Sequence, residues 1–149
     1  MVNRAFQRHW YPVMRKNIEF LKRFLDVFVE SERAYITTQD LLDKGFMFDS
    51  DEVLFHFLLL VEEGYLSSMD LAYGDPKLLG VQFNRNTRSV LYSNAPIRLT
   101  SRGMDFYDSL SSPDVFERLK QLGDQPMSVL KDVGAELLKS YAKKKFGLE

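Results

Sequence analysis

The stretch SDEVLFHFLLLVEEGYL, residues 50–66, decides the fold, because it carries the signals of a helix at both ends and apolar residues between them. Ser50 is a residue type that caps helix starts, and Asp51 and Glu52 follow where the helix dipole favours negative charge. Gly64 is the residue type that most readily takes the left-handed conformation in which helices end. The sequence therefore predicts a helix that ends at Gly64 and is followed by an extended segment.

Shorter elements precede this helix. Apolar residues at helical spacing predict a first helix over 14–30. A β-branched and aromatic segment at 34–37 predicts a small strand, and a short helix follows over 39–44. The turn at 46–48 then leads into the central helix.

The region that follows is β-rich and ends in helices. Extended segments are predicted at 65–73, 79–83, 89–92 and 96–99, with a polar loop tip at 84–88. Three helices are then predicted at 101–110, 113–122 and 127–146. Gly134 lies inside the last of them, where glycine costs about 1 kcal/mol relative to alanine, and this indicates a close helix contact.

Composition limits the class of protein. The chain has 149 residues, 45% of them hydrophobic, and a net charge of −1, whereas a dedicated DNA-binding protein usually has a basic excess. Cysteine is absent, so disulfides and thiolate metal sites are excluded. No apolar run approaches the roughly 20 residues of a membrane span, and the start lacks the apolar run of a signal peptide. We expect a soluble, cytoplasmic protein with no membrane partner.

The order of these elements resembles the winged-helix superfamily. More closely, the chain is similar to a family of small bacterial and prophage-encoded proteins known only as a domain of unknown function. Three segments carry the resemblance: MRKN at 14–17, HFLLLVEEGYL at 56–66 and LTSRGMDFYD at 99–108. The match covers about residues 14–147. It departs at Ser101 and Met104, where that family often has Trp and His.

The resemblance implies an α+β winged helix-turn-helix with a β-wing and a C-terminal helical extension. We expect one domain in three parts: an N-terminal arm at 1–13, a winged-helix core at 14–110, and helices at 111–149 packed on the core. The activity of the family is not established, so the resemblance implies no catalytic residues.

The residues themselves argue against an enzyme. His9 and His56 are the only histidines, and His56 lies in the middle of an apolar helix. No nucleophile elbow, phosphate-binding glycine loop or zinc-binding His-Glu-x-x-His motif is present. The carboxylates at 49–52 and at 105–108 are explained by helix starts or solvated faces. We therefore predict a non-enzymatic protein without cofactor, metal or small-molecule substrate.

The central helix is a poor reader of DNA bases. Its inward face is predicted to hold Val53, Leu54, Phe57, Leu58 and Val61, and its outward face Glu52, Phe55, His56, Leu59 and Glu63. The outward set contains no Arg, Lys, Asn or Gln, the usual bidentate readers of guanine and adenine. Its carboxylates would also face phosphates.

Basic residues lie instead in or beside the wing: Lys77, Arg85, Arg88, Arg98 and Arg102. Arg85 and Arg88 flank the loop tip, where they can contact phosphates that position a protein without reading sequence. The leading hypothesis is a phage-related, transcription-regulator-like module that binds double-stranded DNA mainly through the wing. A merely solvated wing is the alternative reading of these charges.

The rival hypothesis is a protein-interaction or homodimerisation module without DNA binding. Its interface would use Phe55, His56 and Leu59 together with the last helix, because apolar side chains on an outer face need a cover. The arm at 1–13 is either loosely held or a basic and aromatic segment that contacts nucleic acid or a second subunit.

Overall fold

The computed structural model describes residues 14–148 and has a mixed α+β architecture. Its helices are α1 Ile18–Val29, α2 Thr38–Asp43, α3 Asp51–Glu62, α4 Ser101–Ser111, α5 Pro113–Gln121 and α6 Met127–Lys145. Its strands are β1 Ile36–Thr37, β2 Leu66–Ser67, β3 Val81–Asn84, β4 Ser89–Tyr92 and β5 Pro96–Leu99, with a 3₁₀ helix at Pro76–Leu79. The predicted arm at 1–13 lies outside the described residues.

Helix α1 begins later than predicted because Asn17 caps it. The Asn17 Oδ1 atom accepts a hydrogen bond from the backbone amide of Phe20 at 3.0 Å, so Met14, Arg15 and Lys16 precede the helix. Its apolar face enters the core with Ile18, Phe20, Leu21, Phe24, Leu25, Val27 and Phe28.

The two helices that follow, α2 and α3, are joined by residues 44–50. A capping box starts α2: the Thr37 side chain accepts from the Asp40 amide, and the Asp40 carboxylate accepts from the Thr37 amide. Ser50 stands at the cap position of α3, but its hydroxyl makes no capping hydrogen bond, which corrects the prediction for that side chain. Gly64 has φ +70°, so α3 ends as predicted.

Strand β5 joins the first half of the chain to the second. It pairs antiparallel with β1 through Ile36 and Ile97, and with β2 through Leu66 and Leu99. The resulting three-stranded sheet has the order β1-β5-β2. Strands β3 and β4 form a separate antiparallel hairpin, whose turn at 85–88 agrees with the predicted loop tip.

The predicted strand at 65–73 is wrong beyond Ser67. The next five residues close a compact loop in which the Ser68 amide donates to the Ala72 carbonyl at 2.8 Å. The Ala72 amide donates to Ser68 Oγ at 3.2 Å. Leu71 has φ +66°, a conformation that an extended strand excludes. These local hydrogen bonds replace the pairing that a longer strand would need.

The core is rich in aromatic side chains where α1 meets α3. Phe20, Phe24, Phe46, Phe48 and Phe57 are all buried, with ring centroids 5.1–6.5 Å apart in the contacting pairs. Phe46 and Phe48 come from the segment between α2 and α3: Phe46 packs on Phe20 and Phe24 of α1, and Phe48 packs on Phe57 of α3.

The C-terminal helices pack on one another and on α1. Gly134 on α6 lies so close to α4 that a Cβ atom there would stand 2.7 Å from Ser109 Oγ. The close helix contact predicted from this glycine is therefore confirmed. Val115, Leu119 and Leu130 are fully buried, so α5 and α6 extend the same core as α1.

Candidate nucleic-acid interface

Charge is strongly segregated along the chain. Residues 76–104, from the 3₁₀ helix to the start of α4, contain five Lys and Arg and no Asp or Glu. Since the whole chain has 20 basic and 21 acidic residues, the rest of it has 15 basic against 21 acidic. The net charge of −1 therefore conceals a basic hairpin region of +5 on an acidic body of −6.

The hairpin turn that carries two of these cations is held in one conformation by its own side chains. Asn84 Oδ1 accepts from the amides of Asn86 at 2.9 Å and Thr87 at 3.1 Å, which forms an Asx turn. Arg88 takes φ +57°, the left-handed conformation that lets β4 restart. Arg85 and Arg88 are exposed at this turn, and neither forms an ion pair within residues 14–148.

The other three predicted contact residues lie away from the tip. Lys77 belongs to the 3₁₀ helix beside the base of the hairpin. Arg98, on β5, is half-buried, and its Nη1 donates to Ser67 Oγ at 2.9 Å, so it is engaged within the sheet. Arg102 lies in the first turn of α4, with its guanidinium over Gly64. The structure thus brings Arg85 and Arg88 together but does not gather all five into one patch.

The hairpin also carries apolar side chains that the sequence reasoning did not assign to the site. Phe83 is 52% exposed, and it lies on the same face as Val90, its cross-strand partner. Tyr92 lies on that face too and packs on Phe48 at a centroid distance of 5.9 Å. In the sequence, the apolar-polar-apolar order of Val81, Gln82 and Phe83 was the signal that could have identified this face of the hairpin. An exposed aromatic ring beside arginines is a surface on which bases or sugars can stack.

Helix α3 presents an acidic and apolar surface. Asp51, Glu52 and Glu62 are exposed, and the helix contains no Lys or Arg. Val53, Phe57 and Val61 are buried as predicted, whereas Leu54 and Leu58 are only half-buried. Leu60, absent from the predicted inward set, is fully buried in the core. The buried side of α3 therefore differs from the predicted inward face: it includes Leu60 and only partly covers Leu54 and Leu58.

His56 is the clearest correction to the predicted sites. It was expected on the outer face at an interface, but it is 0% exposed and its ring lies 4.4 Å from that of Phe20. Its Nε2 accepts from the Asn17 amide at 2.9 Å, and its Nδ1 donates to the Glu52 carbonyl at 2.7 Å. Both ring nitrogens therefore form hydrogen bonds inside the protein. This pattern fits a neutral imidazole with its proton on Nδ1.

This arrangement predicts a pH-dependent stability. Burial lowers the pKa of His56 below its usual 6.5, because the charged form loses solvation. The unfolded chain binds a proton near pH 6.5 that the folded chain binds only at lower pH. The free energy of unfolding should be unaffected by His56 above that value and fall as the pH drops through it toward the folded pKa.

Thermal unfolding followed by circular dichroism between about pH 7.5 and pH 5 measures this effect. A His9→Gln variant, which removes the other histidine, should keep the loss of stability at low pH. A His56→Gln variant should start less stable and lose less on acidification. An unchanged slope in His56→Gln would assign the effect to other groups.

Phe55 and Leu59, the remaining predicted interface residues, do lie on the outer side of α3. Both are half-buried, and they line a groove of about 510 Å³ with Met14 and Met127. Glu63 also lines the groove, as does the ion pair between Arg15 and Asp124, whose Nη1 and Oδ1 atoms lie 2.9 Å apart. This groove lies beside α3, and none of the residues of the β3–β4 hairpin lines it.

Two tyrosines elsewhere, the buried Tyr65 and the half-buried Tyr107, have raised pKa values. Burial raises the pKa of Tyr65 to about 12, and its hydroxyl has no hydrogen-bond partner within residues 14–148. Burial, together with the hydrogen bond its hydroxyl donates to Asp26 Oδ1 at 2.6 Å, raises the pKa of Tyr107 to about 12. Both hydroxyls therefore stay neutral at physiological pH. Within residues 14–148, no group of three His, Asp or Glu side chains could hold a metal ion.

Comparison with known proteins returns no relatives: no protein-family model, no curated protein and no solved structure matches the chain. Between Met14 and Leu148, none of the helices combines the length and the apolar character that crossing a membrane requires.

Proposed function

We propose that this chain is a winged helix-turn-helix protein that binds double-stranded DNA through the β3–β4 hairpin, as a phage-related, transcription-regulator-like module of bacterial type. The element order supports this reading. Helices α1, α2 and α3, with the small strand β1 after α1, are followed by a hairpin and a returning strand β5 that pairs with β1. In this arrangement the hairpin is the wing.

The observation that carries the proposal is the basic hairpin without carboxylates. No Asp or Glu occurs between residues 76 and 104, so no acidic side chain of this region opposes a phosphate brought against the tip. Arg85 and Arg88 are exposed on a turn that Asn84 holds by two hydrogen bonds. A rigid turn loses little conformational entropy when its arginines bind phosphates, which favours binding.

Helix α3 would not act as a recognition helix in this mode. A recognition helix places side chains against base edges in the major groove. The exposed charges of α3 are Asp51, Glu52 and Glu62, which phosphates repel. The hairpin would therefore contact the backbone, with Asn86 and Thr87 at the tip as further hydrogen-bonding groups. Contacts of this kind position a protein with little sequence preference.

The test is fluorescence anisotropy of a labelled mixed-sequence duplex, titrated with protein at several salt concentrations. Two phosphate contacts predict that the logarithm of the affinity falls with the logarithm of salt with a slope of about −1.8, since each contact contributes about −0.9. In Arg85→Ala/Arg88→Ala most of this slope should disappear, and binding should weaken most at low salt.

The matched control is Lys143→Ala/Lys144→Ala, which removes the same number of positive charges from the exposed end of α6. It should leave the affinity and the slope nearly unchanged. Equal losses in both variants would indicate a general charge effect instead of a hairpin contact. Absence of binding by the wild-type protein at low salt would refute the DNA-binding function for such duplexes.

The groove beside α3 favours a second candidate function, a protein-interaction or dimerisation module that uses Phe55 and Leu59. An apolar groove between charged side chains suits a protein segment better than a phosphate backbone. Such an interface would show little dependence on salt, in contrast to binding through the hairpin.

A further inference from the structure

We propose that the β3–β4 hairpin also binds unpaired bases, so that its preferred ligand is DNA in which a duplex adjoins a single-stranded segment. The exposed ring of Phe83, with Tyr92 beside it, would stack on those bases. This inference rests on the proposed function, because the same arginines, Arg85 and Arg88, would hold the phosphates of the strand.

The hairpin carries its two exposed aromatic rings on one face. Phe83 pairs with Val90 and Tyr92 pairs with Val81, so all four side chains lie on the same side of the two-stranded ladder. Phe83 and Tyr92 are diagonal neighbours on that side, about 7–8 Å apart. Both side chains are exposed. Two rings are therefore open to a single ligand on this face.

Phe83 is the less anchored of the two rings. Tyr92 packs on Phe48 at a centroid distance of 5.9 Å, and its cross-strand partner Val81 is buried. Within residues 14–148, Phe83 stacks on no other ring. Phe83 is therefore the position at which a stacked base would add the most contact.

The charges beside this face favour a polyanion as its ligand. Arg85 follows Phe83 by two residues and Arg88 precedes Val90 by two, so each cation lies within about 7 Å of that pair along the chain. No Asp or Glu occurs between residues 76 and 104 to neutralise them. Cations that hold phosphates next to rings that accept bases are the two parts of a surface for single-stranded nucleic acid.

A continuous duplex would leave the aromatic face of the hairpin unused. Inside B-form DNA each base is covered by its stacked neighbours, so a protein reaches only base edges in the grooves. Base faces become accessible where bases are unpaired, and stacking on an aromatic side chain requires no particular sequence. Exposed rings next to arginines therefore favour DNA that contains unpaired bases.

Three labelled probes built on one duplex test this inference by fluorescence anisotropy. The first probe is blunt, and the second carries a single-stranded extension of about six thymidines, within the usual site size. The third carries an abasic extension of equal length, which has the same phosphates but no bases. Wild-type protein should bind the thymidine extension about tenfold more tightly than the abasic one, since stacking of one base typically contributes that much.

Phe83→Ala should remove most of this preference and leave the affinity for the blunt and abasic probes nearly unchanged. Circular dichroism checks that the variant remains folded. Phe83→Tyr, which keeps a ring, should retain the preference. The matched control is Leu91→Ala, because Leu91 is 53% exposed on the opposite face of the same hairpin. That variant should also retain the preference.

Equal affinity of the wild-type protein for the thymidine and abasic extensions would overturn the inference and leave the duplex contact intact. A preference that persists in Phe83→Ala would overturn it as well. Light scattering tests the other occupant of this face: a wild-type dimer that Phe83→Ala converts to a monomer would show that a second copy covers the ring, and the inference would be wrong.

The proposed function fails by different results. Binding to the thymidine extension without binding to the blunt duplex would refute duplex binding and support the stacking surface. No binding to any probe at low salt would refute both. In Arg85→Ala/Arg88→Ala the three affinities should fall together, with the ratio between the thymidine and abasic extensions retained.

Discussion

Replacing Gly103 with alanine should lower the free energy of unfolding by about 3 kcal/mol, the upper end of the usual cost of overpacking. In an ordinary helix this change would instead stabilise by about 1 kcal/mol. The reversal of sign follows from the position of Gly103 in the first turn of α4, where the helix meets the end of α3 and strand β5. A Cβ atom built on Gly103 would meet the carbonyl oxygen of Tyr65 and, at 2.6 Å, the Cδ1 atom of Leu99.

The surrounding hydrogen bonds prevent relief of this contact. The Thr100 amide donates to the Tyr65 carbonyl at 2.9 Å, which holds that oxygen in place. The Thr100 hydroxyl donates to the Gly64 carbonyl at 2.7 Å and accepts from the Gly103 amide at 3.1 Å. Movement of α4 away from Tyr65 would break these bonds, so the clash must be met by strain or by lost contacts.

Urea unfolding followed by circular dichroism measures the effect. Gly123→Ala is the matched control, because its Cβ would have only ordinary contacts, 3.4 Å from the Lys120 carbonyl and 3.9 Å from Ile18 Cγ1. That variant should change the stability by less than about 0.5 kcal/mol. Equal stability of Gly103→Ala and Gly123→Ala would mean that α4 does not dock on Tyr65 as described.

Replacing Phe57 with alanine should lower the free energy of unfolding by about 3–5 kcal/mol, the usual range for a large aromatic side chain in a core. Phe57 is 0% exposed. Its ring lies edge-on to Phe48 at a centroid distance of 5.2 Å and to Phe24 at 6.5 Å. The cavity left by its removal would be lined by Phe24 of α1 and by Phe48 from the segment before α3.

Phe83→Ala provides the comparison, since it removes the same ring from a side chain that is 52% exposed on the hairpin. It should cost less than about 1 kcal/mol, because little apolar surface leaves contact. Chemical denaturation of the two variants under identical conditions gives both values. A cost at Phe57 no greater than at Phe83 would contradict the description of α3 as a helix of the core.

Local signals in the sequence located most of the elements. The end of α3 at Gly64, the strands Ser89–Tyr92 and Pro96–Leu99, and the turn at 85–88 could all be predicted. Each depends on caps, turn residues or backbone preferences that act over a few neighbouring residues. The position of Arg85 and Arg88 at a loop tip was predictable for the same reason, and these are the candidate site residues for which sequence was most informative.

The tertiary structure decided the rest, because it depends on contacts between residues that are distant in sequence. Helical spacing placed His56 on an outer face, yet the chain at Asn17 crosses that face and engages its Nε2 atom. The same applies to Arg98, which the pairing of β5 with β2 brings to the hydroxyl of Ser67. A periodic pattern shows which residues share a face of a helix, but which other segment covers that face is a property of the packed chain.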